Sequence, residues 1–573
     1  MPDLTTLTAT SFAPEHPVIY DASGDIHWQQ LLADVAATRA SIAARGALRW
    51  ALFEPDGYRF TVALLALLAE GCTVYLPGDN RAASVAALRD EGAQFCGDFP
   101  ADAAAAGSVT SPITGAVANP SSPGLALGGE LVIFTSGSTG APKAIVKQLA
   151  QIDAELAGLE QQWGGQLADC VIAGTVSHQH FYGLLFSVLW PLTRGRRFCR
   201  QRFSDPALLA QHSVQLGQAG QQRVAWVMSP AHLHRLDGAA LPWPALRERV
   251  AVVFSSGGPL RQAAALVVRA GLGASPVEVL GSSETGGMAW RAQSCSANDS
   301  SWTPLPGVQC RASEAGTLAI RSPWLDAGWY NTADAIHMCP DGRFQLLDRV
   351  DRIVKVEGRR VALAQVEGLL LQSPLVADGA SLMLQRQRQE LGAVVSLTHA
   401  GQQVLEEEGL AGLTRQLRAP LLAALPATAV PRLFRPCHAI ARNAQGKLSQ
   451  QALARAFEPG TLAHLVALDE PADDALQLKL YVPANLRYFA GHFPQAPVLP
   501  GVVQIHWACH YARQFMGLQP APGDMKAVKF QALARPDTVL TLTLKASGTW
   551  LAFQFTSRLG SHSQGRLSLG GEA

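Results

Sequence analysis

From about residue 50 to residue 281, short apolar runs alternate with segments that carry helical spacing. The runs at 51–53, 73–76, 131–134, 170–173, 224–228, 250–254 and 277–280 read as strands, and 58–68, 206–215 and 259–270 read as helices. Continuous apolar runs, rather than strict alternation, fit strands covered on both faces, so the pattern predicts an α/β layer architecture with a parallel sheet. Residues 97–129 are rich in Ala, Gly, Ser and Pro and read as a connection rather than an element. Around 313–347 short β pieces and turns take over, and 350–457 read as a small α+β unit. The stretch 458–466, with Pro459-Gly460, leads into a last segment of different character. The predicted domains are 1–349, 350–457 and 462–573.

Composition adds limits. A chain of 573 residues exceeds a single domain of about 100–200 residues, and 48% hydrophobic with 16% charged residues is ordinary for folded protein. Net charge +1 provides no basic footprint for nucleic acid or for an anionic membrane. The nine cysteines are odd in number, scattered and without a CxxC pair, which predicts reduced thiols and a cytoplasmic protein without structural zinc. The N-terminus lacks the basic start and apolar core of a signal peptide. The uncharged stretch 170–193 is interrupted by Ser177, His178, Gln179 and His180, so it reads as strand, loop and apolar helix rather than a membrane span.

The chemistry starts in LVIFTSGSTGAPKAIVK (131–147). After the strand, Thr135, Ser136, Gly137, Ser138, Thr139 and Gly140 offer backbone N–H groups and hydroxyls on side chains too small to block an anion. Lys143 adds a point charge suited to phosphate. No GK[ST] follows, so this is not a Walker loop. TSGSTGAPK resembles the phosphate loop of the adenylate-forming (ANL) superfamily: acyl- and aryl-CoA synthetases, luciferases and nonribosomal adenylation domains. That resemblance implies a large ATP-binding N-terminal domain followed by a small mobile α+β lid.

Further segments fall in the order of that family. LLAEGCTVYLPGD (67–79) resembles its helix–strand step. VEVLGSSETGG (277–287) resembles the segment in which a glutamate carries Mg²⁺ on the triphosphate. The resemblance gives that role to Glu284, with Thr135 as a second metal ligand and Gly281, Ser282 and Ser283 beside ATP. Leu280 stands where the family often has tyrosine. SSGGPL (255–260) resembles the turn beside adenine and acyl group, which places Gly257 and Gly258 there. GWYNTADAIHMCPDGRFQLLDRVDRIVKVEGRRV (328–361) is the longest match. It implies that Asp334 holds ribose hydroxyls, Arg349 contacts ribose or phosphate, Asp351 is the hinge, and 355–360 form a loop facing the thiol cofactor. IARNAQGKLSQ (440–450) resembles the segment bearing the catalytic lysine, here Lys447.

The implied reaction converts ATP and a carboxylic acid to acyl-AMP and pyrophosphate, after which the thiol of CoA or of a carrier-protein pantetheine displaces AMP. TVSHQHFYGLL (175–185) resembles the entrance to the acyl pocket, with His180 as its gating residue and Gly257 as a second pocket residue. No aspartate stands there to pair with an amino-acid ammonium, which favours an unaminated acyl or aryl acid. The chain has no GGxSL phosphopantetheine site, so a carrier protein would act in trans.

YFAGHFPQAPVLPGVVQIHWA (488–508) resembles the core of hot-dog-fold 3-hydroxyacyl-carrier-protein dehydratases, an α+β fold. His492 takes the general-base position, where an imidazole with an ordinary pKa of about 6.5 suits proton abstraction. The family's second residue is a carboxylic acid fourteen residues on; this chain has His506 there, and Gln504 two residues earlier. Two imidazoles in one pocket resist double protonation, so one neutral base and one cationic acid can coexist. The family builds its pocket across a dimer interface, which implies a homodimer. Three readings stay open: an acid–thiol ligase with a working dehydratase, a ligase whose hot-dog domain only dimerises or binds acyl chains, and a scaffold that gathers carrier proteins. The fusion points to bacterial aryl-polyene-like pigment or lipid synthesis.

Overall fold

The computed structural model describes residues 2–100, 125–136, 142–218, 222–236, 240–293, 301–349, 352–356, 359–385, 389–442, 448, 450–469, 475–493 and 495–569. They form two compact units that divide between Leu347 and Asp348.

In the first unit, Cys170–Gly174, Arg223–Met228, Val250–Ser255 and Val277–Ser282 lie side by side and parallel within a nine-stranded sheet. Their side chains are almost all buried, as continuous apolar runs require. Gly286–Ala292 then turns back antiparallel along Val277–Ser282. A five-stranded sheet holds Gln94–Gly97, Arg49–Phe53, Thr73–Leu76 and Glu130–Ser136 as parallel neighbours. Pro142–Gln148 closes it antiparallel to Glu130–Ser136. The helix Gly57–Ala69 is apolar all round and buried nearly throughout, capped where Asp56 accepts from the Arg59 N–H. A four-stranded sheet follows, opening with Gln309–Ala312 and Thr317–Arg321.

The second unit starts with an antiparallel hairpin, Ile353–Val356 against Arg359–Ala362. The sequence reading made 355–360 a loop. Instead Lys355 and Arg360 pair across two strands, which the β-branched Ile353, Val354, Val356 and Val361 favour. A three-stranded sheet (Val376–Gln385, Gln389–Leu397, Leu433–Cys437) packs with the helix His399–Ala424, which breaks at Gly409. The remainder is a six-stranded antiparallel sheet around one helix, Gly501–Met516. Leu478, Leu480, Leu540, Leu542, Phe553 and Phe555 close over Trp507, Ala508 and Tyr511 of that helix. This is the hot-dog arrangement.

The three-stranded sheet and the hot-dog sheet share a core. Tyr481, 1% exposed, and Val466 lie in one apolar cluster with Leu391, Val395, Leu417 and Phe434. Lys479 pairs with Glu406 at 2.6 Å. The connecting stretch is strapped down as well: Asn485 Nδ2 donates to the Phe457 and Glu458 carbonyls at 3.1 Å, and Arg487 Nε to that of Pro459 at 2.9 Å. Among the described residues no helix is long and apolar enough to cross a membrane.

Tyr481 therefore serves both parts of the second unit. Tyr481→Ala is expected to cost about 3–5 kcal/mol, the range for emptying a buried aromatic site. Urea unfolding followed by amide exchange should show strands 376–397 and 475–547 losing protection together; loss in only one of them would contradict a shared core.

Candidate functional site

The phosphate-loop segment is framed as a hairpin. Thr135 faces Lys143 and Ser136 faces Pro142 across Glu130–Ser136 and Pro142–Gln148, so the chain leaves and re-enters the sheet at one edge. Gly137, Ser138, Thr139 and Gly140 lie outside the described residues, as do the side chains of Thr135 and Ser136. Lys143 is exposed at the start of the returning strand.

The parallel strands put their carboxyl ends at one edge, the general place for a ligand in an α/β sheet. At the end of Val250–Ser255, Ser256 Oγ donates to the Val279 carbonyl at 2.8 Å and ties the Gly257-Gly258 turn to the next strand. Gly257 has φ +90°, where a side chain would be strained. Beyond Gly281, Ser282 and Thr285 clasp each other. The Ser282 N–H donates to Thr285 Oγ1 at 3.1 Å, and the Thr285 N–H to Ser282 Oγ at 3.2 Å. Ser283 and Glu284 occupy the tip between them, both half-buried.

Three groups that the sequence reading did not single out hold this tip. Lys147 Nζ donates to the Glu284 carbonyl oxygen at 2.9 Å. Glu155 Oε1 accepts from the Gly287 N–H at 2.6 Å, and Trp324 Nε1 donates to the Thr285 carbonyl at 3.1 Å. Gly286 sits among them with φ +67°, and a Cβ there would come within 2.4 Å of Glu155 Oε2. Burial pushes the Glu155 carboxyl up to about 7, against the pull of the Gly287 N–H and Lys147. Burial also lowers Lys147, opposed by Glu155 and Glu284. A signal existed for Glu155: it falls on the apolar stripe of Leu149–Trp163, with Ile152, Leu156 and Leu159.

The 177–180 cluster divides. His178 Nε2 lies 2.7 Å from the Glu54 carbonyl, and Gln179 Nε2 donates to the same oxygen at 3.2 Å. His178 is buried against Phe60 and held near 4 by burial, so it is a neutral structural group. His180 is half-buried at the start of Phe181–Leu184, with its Cε1 3.4 Å from where a Gly78 Cβ would stand. The 67–79 segment and the pocket entrance thus meet at this histidine.

Asp334 is half-buried in Tyr330–Met338, its N–H donating to Thr332 Oγ1 at 3.2 Å. Arg349 ends Phe344–Arg349 exposed. Asp351 and Lys447 lie outside the described residues. The neck of the Lys447 segment is described: Arg442 and Leu448 form an antiparallel bridge, and Arg442 pairs with Asp378 at 3.0 Å.

In the hot-dog domain, His492 is half-buried with its ring 4.6 Å from that of Phe493, a non-glycine residue at φ +59°. The helix Gly501–Met516 turns Gln504 inward, where its Oε1 accepts from Ser563 Oγ at 2.6 Å. His506 is on the exposed side. Burial, then the neighbouring charge of His506, holds His510 below the ordinary imidazole range. Val502 (71% exposed), Phe493 (61%) and Phe530 (53%) are bare, with Phe530 lying over Gly501 at the start of the same helix.

Residues 130–324 match the AMP-binding enzyme family, and residues 469–566 match the ApeI dehydratase family. The 4-coumarate–CoA ligase of Cereibacter sphaeroides is 27% identical over 316 residues, covering 55% of this chain and 69% of the relative. The L-proline–[L-prolyl-carrier protein] ligase of Pseudomonas fluorescens is 28% identical over 27% of this chain, which spans 32% of that relative. Among solved structures, an O-succinylbenzoate CoA synthetase from Bacillus subtilis with AMP bound superposes with TM-score 0.63 at 16% identity, covering 78% of this chain and 96% of that one. ATP-bound MatB from Rhodopseudomonas palustris gives 0.61 at 19%, over 78% and 98%. At such identities the structural likeness is one of fold.

Glu155 gives a pH signature. Its folded pKa of about 7 exceeds the ordinary 4.5, so its contribution is fully present below pH 4.5 and is lost as pH rises through 7. Glu155→Gln keeps an acceptor for the Gly287 N–H but does not titrate. Relative to this variant, the wild type should lose up to about 3 kcal/mol of unfolding free energy between pH 4.5 and 8, read by urea titration at each pH. Parallel profiles for the two proteins would refute the assignment.

Proposed function

Since the chain carries an AMP-binding domain of the adenylate-forming superfamily together with an ApeI-like dehydratase domain, we propose that it activates an unaminated acyl or aryl acid as its adenylate. The acyl group then passes to the thiol of CoA or of a carrier-protein pantetheine acting in trans, and the hot-dog domain acts on 3-hydroxyacyl thioesters. The observation that carries this reading is that the returning strand of the Thr135/Lys143 hairpin reaches the Glu284 tip through Lys147, while the Gly257 turn is tied to the neighbouring strand end by Ser256, all within one folded unit.

Each residue's part follows from its chemistry. The glycine–hydroxyl loop and Lys143 receive phosphate oxygens, and Asp334 accepts from ribose hydroxyls. The half-buried Glu284 carboxylate on a fixed tip, with a hydroxyl at the strand end, suits Mg²⁺, which takes one or two hard oxygen ligands alongside phosphate. Bound there, the ion would neutralise charge on the leaving pyrophosphate. Lys447 is the cation for charge that develops between the carboxylate and the α-phosphate. His180, backed by Gly78, faces the acid, and the coumarate ligase relative favours an aryl or acyl substrate.

On the hot-dog domain, His492 takes the α-proton of the thioester. His506 supplies the acid, from the exposed side of the helix and toward a second protomer. The bare Val502 and Phe530 at the start of the same helix support a homodimer formed through this face. The pathway we favour is bacterial aryl-polyene-like pigment or lipid synthesis, with the protein in the cytoplasm.

ATP–pyrophosphate exchange screened over aryl and fatty acids tests the ligase. Lys447→Ala should lower exchange by about a hundredfold or more, and exchange at full strength would end the lysine assignment. With a 3-hydroxyacyl thioester, His492→Ala and His506→Ala should each abolish enoyl product. No enoyl product from the wild type would leave the domain to dimerisation or acyl binding.

A further inference from the structure

The strand and helix that follow the phosphate loop reach across the unit and grip the Glu284 tip at two points. Lys147 is the sixth residue of Pro142–Gln148 and is 4% exposed. Its ammonium donates to the Glu284 carbonyl and lies 5.3 Å from the centre of the Phe181 ring, at the start of the His180 helix. Glu155, 3% exposed on Leu149–Trp163, takes the Gly287 N–H. Burying an ammonium and a carboxylate costs several kcal/mol each unless hydrogen bonds and opposite charge repay it. A methionine or leucine at 147 would fill the same space without that cost. The charged pair spans the tip, one group on its carbonyl and one on its N–H.

We infer that Lys147 is a positioning residue for metal–nucleotide binding: it fixes the backbone of Glu284, so that phosphate loop and metal-bearing tip keep one spacing. The inference rests on the reading that Glu284 carries the metal. In this role Lys147 acts through the Glu284 backbone rather than by contact with metal or nucleotide. Releasing the Glu284 carbonyl frees the tip between Ser282 and Thr285 to tilt, and a tilt moves the carboxylate.

The test uses the full chain and measures binding as well as turnover. ATP affinity is determined in EDTA, and Mn²⁺ affinity in the presence of ATP is determined by electron paramagnetic resonance. Glu284→Gln comes first. Wild-type Mn²⁺ affinity in that variant would sink the metal reading itself, and a loss shows that the reading stands. Lys147→Met is then expected to weaken Mn²⁺ binding about tenfold while ATP binding in EDTA stays within about twofold, the scale of one charge-assisted hydrogen bond. The Mg²⁺ needed for half-maximal ATP–pyrophosphate exchange should rise by a similar factor. Lys147→Arg, which keeps a cationic donor, should recover most of the loss. Lys147→Gln, polar and too short to reach, should lose as much as methionine and covers the case in which methionine misfolds. Mn²⁺ affinity at the wild-type level in both the Met and Gln variants, or an equal loss of ATP affinity in EDTA, would overturn the inference.

Discussion

Parallel strands end at the same edge, and the Gly257 turn and the Glu284 tip of the first site depend on that constraint. Cys170–Gly174, Arg223–Met228, Val250–Ser255 and Val277–Ser282 are hydrogen-bonded neighbours running one way. The residues just past their ends, among them Ser256, Gly257 and the Ser282–Thr285 clasp, therefore gather without any long-range search for one another. Each end is still a loop with polar backbone to satisfy. Ser256 answers for one turn by reaching to Val279, and Lys147, Glu155 and Trp324 answer for the next. The price of a rigid tip is a buried ammonium and a buried carboxyl, and their hydrogen bonds to opposite polar groups of the same turn offset only part of it, as the raised Glu155 pKa records.

The second unit joins its parts differently. A flexible joint between the 350–457 region and the hot-dog domain would leave Tyr481 and Val466 in water, yet both are in the apolar cluster of Leu391, Val395 and Phe434. Separating the two sheets would expose that surface at about 25 cal/mol per Å², and would break the Lys479–Glu406 pair and the straps from Asn485 and Arg487. Any displacement of the three-stranded sheet is thus shared with the strands of the hot-dog sheet.

Sequence reading was sharp where the physics is local. Thr73–Leu76 and Val250–Ser255 were visible because a strand buried on both faces must be apolar throughout. It was blind where partners are distant. Lys147 meets a carbonyl 137 residues away and Glu155 an N–H 132 residues away, and nothing near either residue announces that contact. The 355–360 stretch misled for a related reason. The family resemblance made it a loop, while the β-branched Ile353, Val354, Val356 and Val361 on either side already favoured paired strands. His178 and His180 are two residues apart and looked alike, and only tertiary burial separates the neutral core histidine from the one beside Gly78.

The hot-dog helix shows how one departure from a family pattern can be weighed by direction rather than identity. Residues two apart on a helix face different ways, so Gln504 and His506 cannot both line the protomer's own core. Gln504 is anchored inward by Ser563, which commits His506 to the outer side, one turn from the exposed Val502. An imidazole with apolar neighbours on an open face is hydrated while the chain is alone. Burial and the charge of His506 already hold His510, one turn along the same helix, below the ordinary imidazole range, so that open face answers to the charge it carries as well as to its shape.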